Sequence, residues 1–465
     1  MKSLTKNQNE LKQIIQNLEK LILAKAYEWA RYVFKVIVEY IDSLIKQYRN
    51  KSLSIEHKRG VWYVTSLGKI RVERRQYIDQ QGNYYYPLDL LFGMKKYQHT
   101  AINAQQSALE LAASVAFRQA EQILRKMTAI DISHQTIHRL LSRTADKYLE
   151  EQDRNRRWFH NTGEIPPGED RKIDRLFIEA DGVMLSLQRS QARKAEVKLG
   201  IAYEGWDEVG KDRYKTINKT CYADILDGDS FWSDLTLKLH RKYDLASIND
   251  IVIGGDGSSW IKDGVDYFRG RFQLCRYHLN REIRCRLGTS RDVVNSLYQA
   301  LNRGDIDNVC QTLKEAALTE KGDKSLEIKK LYRYIKANAS GLVDYRHDIA
   351  DSQYLRRTGA IEGNIDKLIV RRMKNQGMSW TPQGIRRMLS VRLLIYEGKL
   401  NNQLKSLYSD IKKFVIPPKR INRVIDKTIE QNYVDYFTAG LPALYGPYPN
   451  KPWVRLLKSL TEVGV

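Results

Sequence analysis

Apolar positions recur at different spacings along the chain, and the changes of spacing divide it. Residues 1 to about 50 carry Leu4, Leu11 and Leu18 at intervals of seven, with Ile14 and Leu21 in complementary positions, which predicts a helix. Three heptads do not define a coiled coil, so this helix is expected to pack on the chain's own core or against a second copy. From Val61 to Leu88 the period falls to two, with β-branched and aromatic residues alternating with polar ones and Gln80-Gln81-Gly82-Asn83 between two such runs. That pattern predicts a hairpin or small sheet. Helical spacing resumes at Thr100. From Ala116 two helical segments flank Thr128–Ile132, with Ser133 as N-cap of the second and Ile137, Leu140 and Leu141 on its buried side. Helix, short turn and capped helix outline a helix-turn-helix, with Gln135, His138, Arg139 and Arg143 on the candidate reading helix. A plain helical hairpin has the same pattern. His134 and His138 lie one turn apart, but no third metal ligand is near them in sequence, so surface or groove-facing roles are expected.

Asn161 to Arg171 holds two prolines and two glycines and reads as a linker. Beyond it the runs from Ile173, Lys194 and Tyr214 alternate as strands, Phe231–Tyr243 reads as a helix, and Asn249–Ile261 opens with another apolar strand. Three strands, a helix and a fourth strand are the opening order of a ribonuclease H-like α/β fold. Residues 279–352 are helical and highly charged. The predicted architecture is a multidomain α/β chain. It comprises an N-terminal helix and small β region (1–98), a helix-turn-helix region (99–160), and a ribonuclease H-like domain in two parts (172–278 and 353–400) around an all-helical insertion (279–352). A C-terminal region follows (401–465).

Composition narrows the partners. The 465 residues carry 78 Lys+Arg against 55 Asp+Glu, a net charge of +23, with 42% hydrophobic residues. A folded chain with that excess is suited to a polyanion, of which nucleic acid is the commonest. No apolar run approaches a membrane span, and the N-terminus lacks a signal-peptide core, so a cytosolic location is expected. Cys221, Cys275, Cys285 and Cys310 are too scattered for a disulfide framework.

Three acids stand out against this background. Asp181 and Asp256 each close an apolar run and are followed by Gly, which places both at predicted strand ends. Each alone reads equally well as an ordinary Asp-Gly turn. Glu362 sits in a segment, Ser352–Asn402, that holds ten Lys/Arg and three Asp/Glu, a net of +7. Read as a helix, this segment buries Ile361, Ile365, Leu368 and Ile369 as one stripe, with Glu362 beside it. Carboxylates on neighbouring strands repel unless a cation lies between them. A pair of Mg²⁺ ions, roughly 3.5–4 Å apart in such centres, provides that charge and acts on phosphate. Glu179 shares a strand face with Asp181 and is expected to stand behind the metal ligands, not among them, so that Glu179→Gln retains substantial activity. Spacing does not separate Glu362 from Asp366, one turn on. Arg371, Arg372 and Lys374 are expected to contact phosphate. Trp260 and Trp380 are candidates for base stacking or for the core.

The segments EADGVML, GGDGSSWI, CRYHL and GAIEGNIDKLIVRRMKNQGMSW resemble the DDE transposases of bacterial insertion sequences. More narrowly they resemble the Mutator-like group and, within it, the Lre-type insertion-sequence family. The resemblance covers nearly the whole chain. It implies that Asp181, Asp256 and Glu362 are the catalytic triad and the metal ligands. The implied enzyme cuts insertion-sequence ends and joins them to target DNA, using Mg²⁺, for which Mn²⁺ can substitute. Its implied partners are double-stranded DNA, as terminal inverted repeats and target, and further copies of itself on DNA, in the bacterial cytoplasm at the nucleoid. Cys275-Arg276-Tyr277-His278 matches the Cys-x-x-His signature after the second Asp. A single such pair lacks two zinc ligands, so packing beside the site is its expected role. The alternative is a transposase-derived DNA-binding regulator whose acids are merely structural.

Overall fold

A computed structural model describes residues 2–92, 94, 99–288, 290–349, 354–375 and 377–407, with residues 426 and 429; most of the predicted C-terminal region lies outside these. The described chain is mixed α/β and forms two compact units, one built on residues up to Leu140 and from Asn401, the other on Leu141–Leu400.

The first unit opens with α1 (Lys2–Tyr48), followed by β1 (Ser54–Thr65), β2 (Gly68–Ile78) and β3 (Tyr84–Tyr85), an antiparallel sheet in that order. Two turns shape it, where the sequence showed one. Ser66-Leu67 joins β1 to β2, with Thr65 opposite Gly68, and the predicted Gln80–Asn83 turn leads only into the short β3. Val38 and Ile45 of α1 pack with Tyr63, Ile70, Val72 and Tyr77 of the sheet. Of the heptad positions, Leu18 and Leu21 do not join that core and are about half exposed. Helices α2 (Pro87–Leu91), α3 (Ile102–Ala112) and α4 (Phe117–Met127) lead into α5 (His134–Thr162), within which the division between the units falls.

The second unit is organised on five strands: β4 (Arg175–Ser186), β5 (Lys194–Tyr203), then, after a β6–β7 hairpin (Trp206–Gly210, Arg213–Thr216), β8 (Thr220–Asp224), and after α6 (Gly228–His240) β9 (Asp250–Gly255). Two short helices, α7 (Ser259–Lys262) and α8 (Gly264–Phe268), precede β10 (Arg271–Leu274). The spatial order is β10-β9-β4-β5-β8, with β4 parallel to β9 and antiparallel to β5. Period-two alternation along β4 serves two cores. Leu176, Ile178 and Ala180 pack with Phe231, Trp232 and Leu235 of α6, whereas Phe177, Glu179 and Asp181 face the other way.

Helices α9 (Arg276–Leu287), α10 (Arg291–Arg303), α11 (Ile306–Thr319) and α12 (Asp323–Ala337) follow β10, with a core of their own around Leu279, Leu297, Leu313 and Leu331. The second face of the sheet is covered by α13 (Ala360–Ile365), a π-helical continuation (Asp366–Lys374) and α14 (Pro382–Tyr396); α15 (Leu400–Ser406) ends the described chain apart from the two isolated residues. Among the described residues no helix is long and apolar enough to cross a membrane.

Candidate functional site

Asp181 is not at a strand end. β4 runs on through Gly182 to Ser186 against β5, while its pairing with β9 stops at Glu179–Gly254. Past that point β4 continues against β5 until Trp380 bonds to Ser186, and Asp181 lies two residues beyond the last β4–β9 pair. Gly182 therefore serves packing, not turning: a Cβ there would stand 2.4 Å from Glu196 Oε1, and the Gly182 N–H donates to Asp181 Oδ1 at 2.7 Å.

Asp256 does follow a strand end directly. Its Oδ1 accepts the Ser258 N–H at 2.8 Å, and its carbonyl accepts the Tyr334 hydroxyl of α12 at 2.8 Å. Gly257 adopts φ +92° with the Asn338 side chain 2.4 Å from where a Cβ would stand, so only glycine fits there. Glu362 enters from α13, whose Ile361 and Ile365, with Leu368 and Ile369 beyond, form the expected buried stripe.

The electrostatics join the three acids. Burial pushes the Asp181 carboxyl up to about 7; the negative charges of Glu362 and Asp256 push the same way, against the Gly182 N–H and Arg281. Arg281 is exposed on α9, one turn past His278, and was not singled out in the sequence. Asp366 is drawn elsewhere, with one oxygen 2.7 Å from Arg371. That pair is spaced at five, which shares a face in a π-helix, so the winding separates Glu362 from its neighbour as α-helical spacing does not.

Two further groups belong to the site. Glu179, fully buried, receives the start of α13: Oε2 accepts the N–H groups of Gly359 (2.9 Å) and Ile361 (3.1 Å), and Oε1 accepts Ala360 N–H (3.1 Å) and the Tyr203 hydroxyl (2.5 Å). Burial raises its pKa and these donors oppose the rise. This carboxylate holds the start of the helix that carries Glu362. Cys275, at the N-cap of α9, and His278 are both buried, and His278 Nδ1 lies 3.2 Å from Glu362 Oε1. The motif thus packs against the site through one of the acids themselves.

The expectation for Arg372 is overturned. It is 3% exposed, with its guanidinium over the Trp380 ring at 5.2 Å and Nη1 3.0 Å from Met378 Sδ, and burial lowers its pKa to about 10. No phosphate reaches it. Arg371 and Lys374 remain exposed. The π winding is stabilised from α14, where Arg392 donates to the carbonyls of Lys367 and Leu368. Trp380 is a structural residue: its N–H donates to Ser186 O at 3.0 Å, extending the end of β4, and Nε1 donates to Met373 O at 2.8 Å. Trp260 packs against Phe231 and Trp232, with Lys198 over its ring.

In the first unit, the Ser133 hydroxyl caps α5 through Thr136 N–H, and Glu121 of α4 accepts both the N–H and the ring of His134. His138 sits edge-on to Phe117. Gln135 and Arg139 are exposed, one turn apart on α5; Arg143, one turn further, is partly buried.

An α/β sheet unit that gathers three acids at the open end of its parallel strands is the class that fold and site define. The chain belongs to the family described as Uncharacterised protein family (UPF0236), whose model matches residues 6–406. It is 24% identical over 377 residues to a UPF0236 protein of Caldanaerobacter subterraneus subsp. tengcongensis, covering 79% of this chain and 75% of the relative; that relative's name joins eleven locus labels. A UPF0236 protein in the vanSb 3′ region of Streptococcus gallolyticus is 26% identical over 367 residues, 76% of each chain.

Proposed function

We propose that the protein is a DNA transposase that cuts insertion-sequence ends and joins them to target DNA by Mg²⁺-dependent phosphoryl transfer at Asp181, Asp256 and Glu362. The observation that carries this reading is the meeting of three acids from β4, the end of β9 and α13, close enough that the charges of Glu362 and Asp256 add to burial in raising the pKa of Asp181. The strand order of the sheet, three antiparallel strands with two parallel ones beside the first, and the four helices α9–α12 between Asp256 and Glu362 support a ribonuclease H-like domain with an insertion. The relative whose name joins eleven locus labels adds to it, since mobile elements leave many copies in one genome. The exposed face of α5 with Gln135 and Arg139 suits a reading helix.

The donor set fits Mg²⁺: hard carboxylate oxygens, crowded so that their ionised forms repel. Asp181, Asp256 and Glu362 would hold the metal. When bound, it supplies charge to the phosphate oxygens and acidity to the attacking water or 3′-hydroxyl. The chain's own residues do the rest. Glu179 fixes the approach of α13, Gly257 lets the backbone just after Asp256 pass close to Asn338, and Arg281 offers a positive charge beside the acids.

A pH dependence follows. The Asp181 pKa, about 7, is raised above the ordinary aspartate value. Its contribution to stability is full below the unfolded-state value of roughly 3.9 and is lost as pH rises through about 7. In metal-free protein, wild type should lose melting temperature over that interval relative to Asp181→Asn. Added Mg²⁺ above that interval should restore wild type and leave the variant nearly unmoved. An equal Mg²⁺ shift in both, read by thermal melting, would remove Asp181 from the metal centre.

For DNA reading, Gln135→Ala and Arg139→Ala should each lower the preference for the element's ends over random duplex by about 1–3 kcal/mol. Unchanged preference in competition binding would make α4–α5 a structural hairpin.

A further inference from the structure

We infer that Cys275, His278 and Glu362 form a second metal site, one selective for Zn²⁺, and that Zn²⁺ bound there withdraws Glu362 from the Mg²⁺ centre and inhibits the enzyme. The Zn²⁺ site stands on its own geometry; the inhibition rests on the transposase reading.

One ligand atom from each of these three residues lies within 4.8 Å of the other two. The sequence offers only the Cys-x-x-His pair, two ligands of the four that structural zinc requires. The fold adds a third from a helix much later in the chain. Cys275 is 2% exposed and His278 6%, and the Cys275 backbone is held at both ends: its N–H donates to Gly255 O at 2.7 Å, and its carbonyl accepts the Leu279 N–H at 3.0 Å. Three residues apart at the start of α9, the thiol and the imidazole share a face. A second observation points to a ligand. His278 Nδ1 and Glu362 Oε1 are buried and, among the described residues, neither has a hydrogen-bond partner; they face each other at 3.2 Å without the alignment a hydrogen bond requires. Buried polar atoms without a partner are costly, and a cation between these two would satisfy both.

The donor types select the metal. A thiolate and an imidazole bind Zn²⁺ far better than Mg²⁺, whose hard-ion preference is for oxygen. Three protein ligands leave one tetrahedral position open, the arrangement of an accessible zinc centre. The Glu362 side chain is 31% exposed, which gives the ion a path in. Binding converts the Cys275 thiol to thiolate, with its proton passing to solvent, and no other bond is made or broken. Glu362 is the one residue common to both sites. A carboxylate committed to the soft site is lost to Asp181 and Asp256, so Zn²⁺ should oppose Mg²⁺ at low concentration.

The test uses the full chain and Co²⁺ as spectroscopic stand-in, followed by Zn²⁺ competition against a chromogenic chelator. Wild type should take up one equivalent, with a near-ultraviolet thiolate-to-cobalt charge-transfer band that Zn²⁺ abolishes. The band should vanish in Cys275→Ser and persist in Cys285→Ser, which alters an exposed cysteine. His278→Gln and Glu362→Gln should each weaken Zn²⁺ at least about tenfold, the lower end expected when metal-site interactions are lost. Melting curves establish that each variant is folded; should Cys275→Ser not fold, the His278→Gln titration decides. Absence of the band, or its survival in Cys275→Ser, overturns the site, as does unchanged affinity in His278→Gln. These readouts need no DNA. If Zn²⁺ binds as described but does not suppress Mg²⁺-dependent cleavage, the inhibition falls and the site stands. If no cleavage occurs in any metal, the transposase reading falls, and the binding data still decide the zinc site.

Discussion

Asp181→Asn, Asp256→Asn and Glu362→Gln should each reduce Mg²⁺-dependent cleavage and joining by well over a hundredfold while leaving affinity for the element's ends within a few-fold of wild type. The lower limit comes from metal sites in which only an outer partner is lost, where the cost is already about 10–100-fold. Each substitution keeps the shape and removes an anion. The three losses should not add, because a site lacking one ligand has little left for a second change to remove. End binding should depend on other surfaces, such as the exposed face of α5. Rates are read from cleavage of labelled duplex at saturating DNA, and affinities from anisotropy. Activity retained in Asp256→Asn would remove that residue from the site. Binding lost together with activity in all three would make the acids part of the fold alone.

The second large effect falls on a residue that never touches substrate. Glu179→Gln should destabilise the second unit by on the order of 3 kcal/mol, the scale for leaving buried, charge-assisted hydrogen bonds unmade. Gln offers one acceptor oxygen where Glu offers two, and turns an N–H₂ group toward backbone N–H donors from Gly359, Ala360 and Ile361. Tyr203→Phe removes one donor and spares the other three, so it should cost only about 1 kcal/mol. Because Glu179 positions α13, the Mg²⁺ concentration for half-maximal cleavage should also rise in Glu179→Gln, an effect a merely structural role would not produce. Denaturant unfolding and Mg²⁺ titration measure the two. A Glu179→Gln protein with wild-type stability and Mg²⁺ dependence would show that α13 is fixed by other contacts.

What the sequence makes legible follows from how local each cause is. The apolar runs of β4 and β9 read as strands because both faces of the sheet are covered, so Leu176-Phe177-Ile178 and Ile251-Val252-Ile253 are continuously apolar. The stripe of Ile361, Ile365, Leu368 and Ile369 is likewise local. The Asp-Gly pair marked a strand end correctly at Asp256. It did not at Asp181, because β5 pairs with β4 beyond the point where β9 ends, and no local signal records which partner stops first. The partners of Glu179 lie on a helix far along the chain, so nothing local shows what it holds. Arg372 looked like a phosphate contact because basic spacing was read on an α-helix; π winding held by Arg392 and the cover of Met378 and Trp380 bury it. The third ligand beside Cys275 and His278 was invisible for the same reason as the partners of Glu179. Spacing within one segment cannot announce a side chain delivered by another.

The most direct test is cleavage and joining by the wild-type chain on plasmid DNA carrying the sequences that flank its own coding region on both sides, in Mg²⁺, in Mn²⁺ and in chelator. Nicks or breaks at fixed positions in those flanks, and their joining to target DNA, are the expected result. Both should occur in Mg²⁺ or Mn²⁺ and be absent with chelator or in Asp181→Asn. Specific binding to the flanks with no strand cleavage in either metal would contradict it, and would leave a DNA-binding regulator whose acids serve the fold.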